Sequence, residues 1–378
     1  MLFRKYFVKF SLTLLTNLAE NCIINKYILN LGDIFMEVSD KLLELISGAV
    51  GGNGIIVIAV SMVFLVLGFV MLIKGADMFV DGASKVAVKL KIPLIVIGLT
   101  IVAFGTSAPE AAISITSACQ DNAGIAVGNV IGSNIMNILI ILGISSLFAV
   151  LPVKHTTLKY EIPFMIFITA VLLVEGIDGN IGKIDAVILL LLFAAFFVYL
   201  IMLSKKGDSA GDEIAPLTEK DTVPKMILFI LLGLAMIVFG SDFTVTGASK
   251  IAESLGVEPR LIGLTVVAFG TSLPELVTCV TAAKKNAVDI AIGNIIGSNI
   301  FNILFVAGLA GVFSPNPIGF EQTFIIDALV ALAAAVFLWL CVFKDRKLGK
   351  TGGIIMIVMY AVYFVYLLLQ PMIFTTAA

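Results

Sequence analysis

Apolar runs long enough to cross a bilayer recur along the chain, separated by short polar connections. A spanning helix needs about 20 mostly apolar residues. Ten such cores are present, at 54–74, 94–119, 124–149, 156–175, 181–204, 224–240, 259–283, 289–314, 321–343 and 352–374. The predicted fold class is an all-α polytopic membrane protein. Two cores run on into amphipathic stretches, Gly75–Leu90 and Gly240–Leu255, which carry Asp77, Asp81, Lys85, Asp242, Lys250 and Glu253. Those charges make the stretches poor independent spans. Each is read as the continuation of the helix before it, so spans 1 and 6 are long and tilted to fit the bilayer. Twelve spans are the alternative.

Composition narrows the function classes. The chain has 378 residues, 60% hydrophobic and 13% charged, with a mean hydropathy of +1.12. A soluble domain is roughly 25% charged and 45–50% apolar and has no way to hide this much apolar surface. A soluble enzyme, a nucleic-acid binder and a disordered chain are excluded. A net charge of −2 offers no bulk attraction to nucleic acid. Cys22, Cys119, Cys279 and Cys341 are scattered, with no close pair to suggest a disulfide framework or a metal knuckle. His155 is the only histidine, which argues against a zinc site or a histidine proton relay.

The placement of Lys and Arg sets the expected orientation. With the start of span 1 outside, the cytoplasmic connections hold Lys89 and Lys91; Lys154 and Lys159; Lys205, Lys206, Lys220 and Lys225; Lys284 and Lys285; and Lys344, Arg346, Lys347 and Lys350. The external connections hold Lys183 and Arg260. This asymmetry follows the positive-inside rule and places both termini outside, in what is expected to be a prokaryotic plasma membrane. Residues 1–53 form an N-terminal extension. Arg4, Lys5 and Lys9 precede a short apolar run, Phe10–Leu15. That pattern reads as a weak signal sequence or as an upstream mis-start, with Met36 as the true initiator.

An internal repeat decides the architecture. Gly98-Leu-Thr-Ile-Val-Ala-Phe-Gly-Thr-Ser-Ala-Pro-Glu110 returns as Gly263-Leu-Thr-Val-Val-Ala-Phe-Gly-Thr-Ser-Leu-Pro-Glu275, an offset of 165 residues. At the same offset Gly128-Asn-Val-Ile-Gly-Ser-Asn-Ile-Met-Asn137 returns as Gly293-Asn-Ile-Ile-Gly-Ser-Asn-Ile-Phe-Asn302, and Gly82-Ala-Ser-Lys85 as Gly247-Ala-Ser-Lys250. Apolar composition alone would not align Pro, Glu, Asn and Gly. A five-span unit has been duplicated, giving a first repeat at 54–204, a cytoplasmic linker at 205–223 and a second repeat at 224–378. Five is odd, so the two copies enter the membrane in opposite directions, as in the inverted repeats of secondary transporters. The linker holds Asp208, Asp212, Glu213, Glu219 and Asp221 among its lysines. It reads as a solvated connector; a regulatory cation site there has no EF-hand spacing to support it.

The repeat also places the candidate chemistry. Glu110 and Glu275 lie well inside apolar spans. An unpaired carboxylate at that depth is costly and usually lines a site or pathway. Thr106, Ser107, Thr271 and Ser272 come one turn earlier. Pro109 and Pro274 donate no backbone hydrogen bond, so they weaken the bonding of the Gly105 and Gly270 carbonyls and bend each helix. A carbonyl freed at membrane depth needs a partner, and a cation suits it. On spans 3 and 8, Gly128 and Gly132, and Gly293 and Gly297, form faces that permit close helix approach. Ser133 with Asn137, and Ser298 with Asn302, each share one helix face. Asn129, Asn134, Asn294 and Asn299 fall at other angles and read as interhelical hydrogen bonders. Carboxylates, amides, hydroxyls and carbonyls, without thiolate or imidazole, make a hard-cation site suited to Ca²⁺. The same oxygens suit Na⁺, and a ligand set that holds one ion at a time yields exchange.

At these motifs the sequence resembles the calcium/cation antiporter superfamily, the sodium/calcium exchangers. It is most similar to their prokaryotic branch, often labelled K⁺-dependent Na⁺/Ca²⁺ exchanger-related. The resemblance covers about 54–374. It implies a ten-helix inverted-repeat fold and alternating access, with long spans 1 and 6 sliding past a core of spans 2, 3, 7 and 8. It also implies that Glu110 and Glu275 bind Ca²⁺ centrally. Thr106, Ser107, Thr271, Ser272, Ser133, Ser298 and Asn137 would line the Na⁺ and Ca²⁺ positions, with backbone oxygens near Ala103 and Ala268. Many family members carry Asp at the end of the second G-S-N motif, where this chain has Asn302. Losing that charge leads to the expectation of K⁺-independent exchange. The expected partners are Ca²⁺ and Na⁺ as substrates and the lipid bilayer, with no cofactor, no nucleic acid and no obligate protein partner. H⁺/Ca²⁺ antiport through the same glutamates is the alternative, and a cation channel is the rival from another class. The chain has no H-E-x-x-H or G-x-S-x-G to support an intramembrane enzyme.

Overall fold

The computed structural model describes residues 41, 54–119, 123–205, 221–256 and 268–375. The N-terminal extension (Lys41 apart) with its proposed start at Met36, most of the linker, Cys22 and the first part of span 7 lie outside the described residues. Twelve helices follow in order: α1 Gly54–Leu90, α2 Leu94–Thr106, α3 Ala108–Cys119, α4 Gly124–Phe148, α5 Thr157–Glu175, α6 Lys183–Ser204, α7 Val223–Ser254, α8 Ala268–Thr271, α9 Leu273–Lys284, α10 Val288–Phe313, α11 Gln322–Phe343 and α12 Lys350–Thr375. The chain is a polytopic membrane protein. Among the described residues eight helices are long and apolar enough to cross a bilayer, and α2 with α3 makes a ninth, bent by 54° at its break. Of the tenth expected span, only α8 and α9 are described.

The amphipathic stretches do continue the helices before them. α1 runs unbroken for 37 residues and α7 for 32, so the twelve-span alternative fails. Their apolar side chains face outward: Val63, Ile73 and Leu231 are exposed, as lipid-facing residues must be. α4 and α10 are the opposite. Their most apolar windows are 78% and 83% buried by protein, and they form the centre of the bundle.

The two repeats lock together around an approximate two-fold axis. α1 and α7 lie antiparallel along glycines spaced seven residues apart, Gly68, Gly75 and Gly82 on one helix and Gly233, Gly240 and Gly247 on the other. A seven-residue step returns to nearly the same helix face. The backbones touch there. A Cβ on Gly75 would sit 2.8 Å from the Gly233 carbonyl oxygen, and one on Gly233 would sit 2.7 Å from the Gly75 carbonyl oxygen. Deeper in, α2 meets α10 the same way: a Cβ on Gly98 would sit 2.9 Å from the Gly293 Cα, and one on Gly293 would sit 2.9 Å from the Gly98 Cα. Gly293 and Gly297 thus serve close approach as expected; among the described residues a Cβ on Gly128 would meet only the Phe324 ring, at 3.6 Å, and one on Gly132 would meet nothing within 4 Å.

Short strands clasp the ends. β1 Leu151–Pro152 pairs antiparallel with β4 Lys347–Leu348, and β2 Asn180–Ile181 pairs with β3 Ile318–Gly319. Each clasp joins a connection of one repeat to a connection of the other, one clasp per membrane face. The basic connections gather at the β1–β4 end. Lys154 pairs with Asp289 at 2.5 Å, Lys85 with Asp221 at 2.8 Å, and Lys285 with Asp77 at 2.8 Å.

Candidate ion-binding site

The break between α2 and α3 falls at Ser107, two residues before Pro109, and places Glu110 in the first turn of α3. The same sequence places Glu275 in the first turn of α9. Proline tolerates that position because a first-turn N–H has no intrahelical partner. Both glutamates are almost fully buried, at 2% and 1% exposure. Ser107, at the break in the first repeat, donates its hydroxyl to Glu275 Oε1 at 2.8 Å. The two motifs therefore meet across the axis.

α4 and α10 complete the cluster. Each changes from α to π winding at its last motif residue, Asn137 and Asn302. π turns are uncommon and concentrate at functional sites. Here they sit at equivalent places in the two repeats. Asn134 Nδ2 donates to the Asn299 carbonyl at 3.2 Å, and Asn299 Nδ2 donates to the Asn134 carbonyl at 3.2 Å. This reciprocal pair holds α4 against α10. Asn137 Nδ2 donates to Asn299 Oδ1 at 2.9 Å. Asn302 Nδ2 reaches both Ser133 Oγ and Asn134 Oδ1, at 3.1 Å each. The amide nitrogens are thus engaged in fixing the side chains.

What remains is a set of oxygens. Glu110 Oε2, Glu275 Oε2, Asn137 Oδ1 and Asn302 Oδ1 are buried and have no hydrogen-bond partner among the described residues. A buried polar atom without a partner costs about 1–3 kcal/mol, more when charged. The fold carries that cost four times, on two repeat-related pairs. All four residues belong to the oxygen inventory expected from the sequence. Two carboxylates with two amide oxygens are hard donors, as Ca²⁺ requires.

The other expected residues fall nearby with different roles. Thr106 is fully buried and bonds to the Val102 carbonyl and to Asn294 Oδ1. Ser133 donates to the Asn129 carbonyl at 2.6 Å. Ser298 Oγ lies 3.5 Å from the Ala103 carbonyl, the backbone oxygen expected in the first repeat. Ser272 is buried immediately before α9, Thr271 ends α8, and Ala268 opens α8. Asn129 bonds to the Glu110 carbonyl and Ser114 Oγ, joining α4 to α3. Asn129, Asn134, Asn294 and Asn299 are all hydrogen-bonded between helices, as their angles predict.

One expectation needs correction. The Gly270 carbonyl, weakened by Pro274, is not left for a cation. Ser241 on α7 donates to it at 2.6 Å. The signal lay in the repeat itself, since Ala76 stands at the equivalent place on α1 and carries no hydroxyl. Cys119, Cys279 and Cys341 are free thiols, consistent with packing.

Comparison with known proteins matches this arrangement. The profile of the sodium/calcium exchanger protein family matches residues 60–202 and 225–369. The putative antiporter CaxA of Alkalimonas amylolytica is 37% identical over 314 residues, covering 80% of this chain and 97% of that protein. The sodium/calcium exchanger MaX1 of Methanosarcina acetivorans is 32% identical over 347 residues, covering 82% and 99%. The solved structure of the sodium-calcium exchanger NCX_Mj superposes with a TM-score of 0.72 at 32% identity, covering 82% of this chain and 99% of that one. A duplicated motif pair, a buried glutamate in each copy, and family matches in both halves lead to one assignment: this chain belongs to the sodium/calcium exchanger family of cation antiporters.

Proposed function

We propose that the protein is a secondary active antiporter that exchanges Na⁺ for Ca²⁺ by alternating access at the site between its two repeats. The observation that carries this reading is the four open oxygens of Glu110, Glu275, Asn137 and Asn302. The two glutamates balance one divalent charge, and the two amides extend the oxygen count toward the 6–8 that Ca²⁺ takes. Hydroxyls at Thr106, Ser107, Thr271, Ser272, Ser133 and Ser298, with the Ala103 and Ala268 carbonyls, line positions for Na⁺. Na⁺ and Ca²⁺ then compete for one set of ligands, and that competition couples their fluxes. The ions are cargo, and no cofactor is called for.

H⁺/Ca²⁺ antiport would need the same carboxylates but no ring of hydroxyls, so the hydroxyls favour Na⁺. The names of the antiporter and exchanger relatives support the same reading. Under the positive-inside rule the β1–β4 face is cytoplasmic, the termini are external, and the membrane is the prokaryotic plasma membrane. The test is ⁴⁵Ca²⁺ uptake into proteoliposomes driven separately by a Na⁺ gradient and by a pH gradient. Uptake driven by Na⁺ alone supports the proposal. Uptake driven by pH alone replaces it with proton exchange, and single-channel current would replace it with a channel.

A further inference from the structure

A second buried carboxylate lies outside the central site. Glu161, on α5, is 1% exposed. The Tyr199 hydroxyl on α6 donates to its Oε1. Its Oε2 is buried with no hydrogen-bond partner among the described residues, and the same holds for the hydroxyl of Thr157, one turn earlier on the same helix face. Asp289 opens α10, a helix packed beside α5. Asp289 is itself paired with Lys154, whose side chain is 37% exposed. From α11 the facing polar group is the Trp339 indole, which donates to the Leu158 carbonyl. Lys154 and Asp289 thus place a partly exposed ion pair at the end of the bundle where α5 begins, the end that carries Glu161.

We propose that Glu161 is a proton-binding site, separate from the central ion site and served from the membrane face that carries Lys154. Both protonation states have partners in place. The ionised carboxylate accepts from Tyr199 and can accept from Thr157. The neutral acid keeps the Tyr199 bond and can donate from Oε2 to Thr157. The proton comes from bulk hydronium and returns to bulk water, so no other reactant is involved. A metal ion fits poorly. Lys154 already neutralises Asp289, which leaves one open carboxylate oxygen and one hydroxyl, where Ca²⁺ needs six or more donors.

The second repeat holds a near copy that supplies a control. Asp327 on α11 accepts from the Tyr363 hydroxyl on α12 at 3.0 Å. Each partner lies within one residue of the 165-residue offset from Glu161 and Tyr199. The places equivalent to Lys154 and Asp289 are Gly319 and Gly124, so neither charge is repeated at its equivalent position.

The experiment is infrared difference spectroscopy of the protein in lipid bilayers as pH is lowered. A carbonyl band of a newly protonated carboxylic acid is expected in wild type. It disappears in E161Q and persists in D327N, and its midpoint moves in K154M. Should E161Q fail to fold, Y199F serves, because that variant keeps the carboxyl and loses its donor, so the band persists with a displaced midpoint. Difference spectra of E161Q that superimpose on wild type, or a Y199F titration identical to wild type, overturn the proposal. The readout involves no transport, so it stands or falls independently of the exchange reading.

Discussion

Replacing either central glutamate by glutamine should leave the fold intact and abolish Ca²⁺ handling. Gln keeps the volume and the Oε1 acceptor of Glu, so the Ser107 bond to position 275 can persist in a weaker, neutral form. The loss is about 1 kcal/mol, the difference between a charge-assisted and a neutral hydrogen bond. Against it stands a lower desolvation cost, since a neutral amide replaces a carboxyl group that is almost fully buried. Net stability should change by no more than about 1 kcal/mol, within the range of an ordinary substitution. Ion binding moves far more. Taking a Ca²⁺–oxygen distance of about 2.4 Å and an effective dielectric of about 20, one carboxylate contributes on the order of 14 kcal/mol of gross attraction. If even a fifth of that survives desolvation, the loss is about 3 kcal/mol, or more than 100-fold in affinity. The assay is ⁴⁵Ca²⁺ uptake in proteoliposomes beside thermal unfolding of the same E110Q and E275Q preparations. Near-normal uptake in both variants refutes the proposed site. Loss of uptake accompanied by collapse of the fold in both assigns the glutamates to packing instead.

Other outcomes follow from the same geometry. S107A removes the donor to Glu275 and should raise the half-saturating Ca²⁺ concentration roughly 10-fold or more, as expected for a bond of about 1.5–3 kcal/mol; unchanged Ca²⁺ dependence rejects that role. Exchange should proceed without K⁺, because Asn302 carries no charge to recruit a further cation; uptake that collapses on removing K⁺ contradicts this. G233A should lower stability by about 1–3 kcal/mol, since its Cβ would lie 2.6 Å from the Phe79 backbone nitrogen; a melting temperature equal to wild type would show that α1 and α7 separate freely.

Much of the fold and the core of the site were legible in the sequence because the duplication aligns rigid motifs. Pro109 and Pro274, with the glutamates after them, mark the helix breaks, and the paired G-S-N motifs mark where α4 and α10 meet. The π turns at Asn137 and Asn302 were not legible, because winding there depends on tertiary packing rather than on local propensity. Glu161 and Asp327 were missed for a different reason. Their positions slip by one residue against the repeat offset, so a strict alignment never pairs them, and their burial depends on which helix covers them. The glycine ladder of α1 and α7 was present as a seven-residue spacing, but only the Gly82 and Gly247 members fell within the aligned motifs. The hydroxyl of Ser241 shows the limit of reading by symmetry, since it acts at a position where the two halves differ.

That difference bears on energetics. In the alternating access proposed above, the two inverted repeats trade conformations. Were the halves identical, the form open to one side and the form open to the other would be mirror roles of one structure, with equal free energy. Reciprocal contacts such as Asn134 with Asn299 contribute equally to both forms and leave them degenerate. Any resting preference must therefore come from the unmatched positions. Ser241 opposite Ala76 is one, and the Lys285–Asp77 pair at the β1–β4 face is another. A ligand shifts such an equilibrium only through unequal affinity for the two forms, so in the proposed exchange cycle asymmetric residues such as these would set the starting bias.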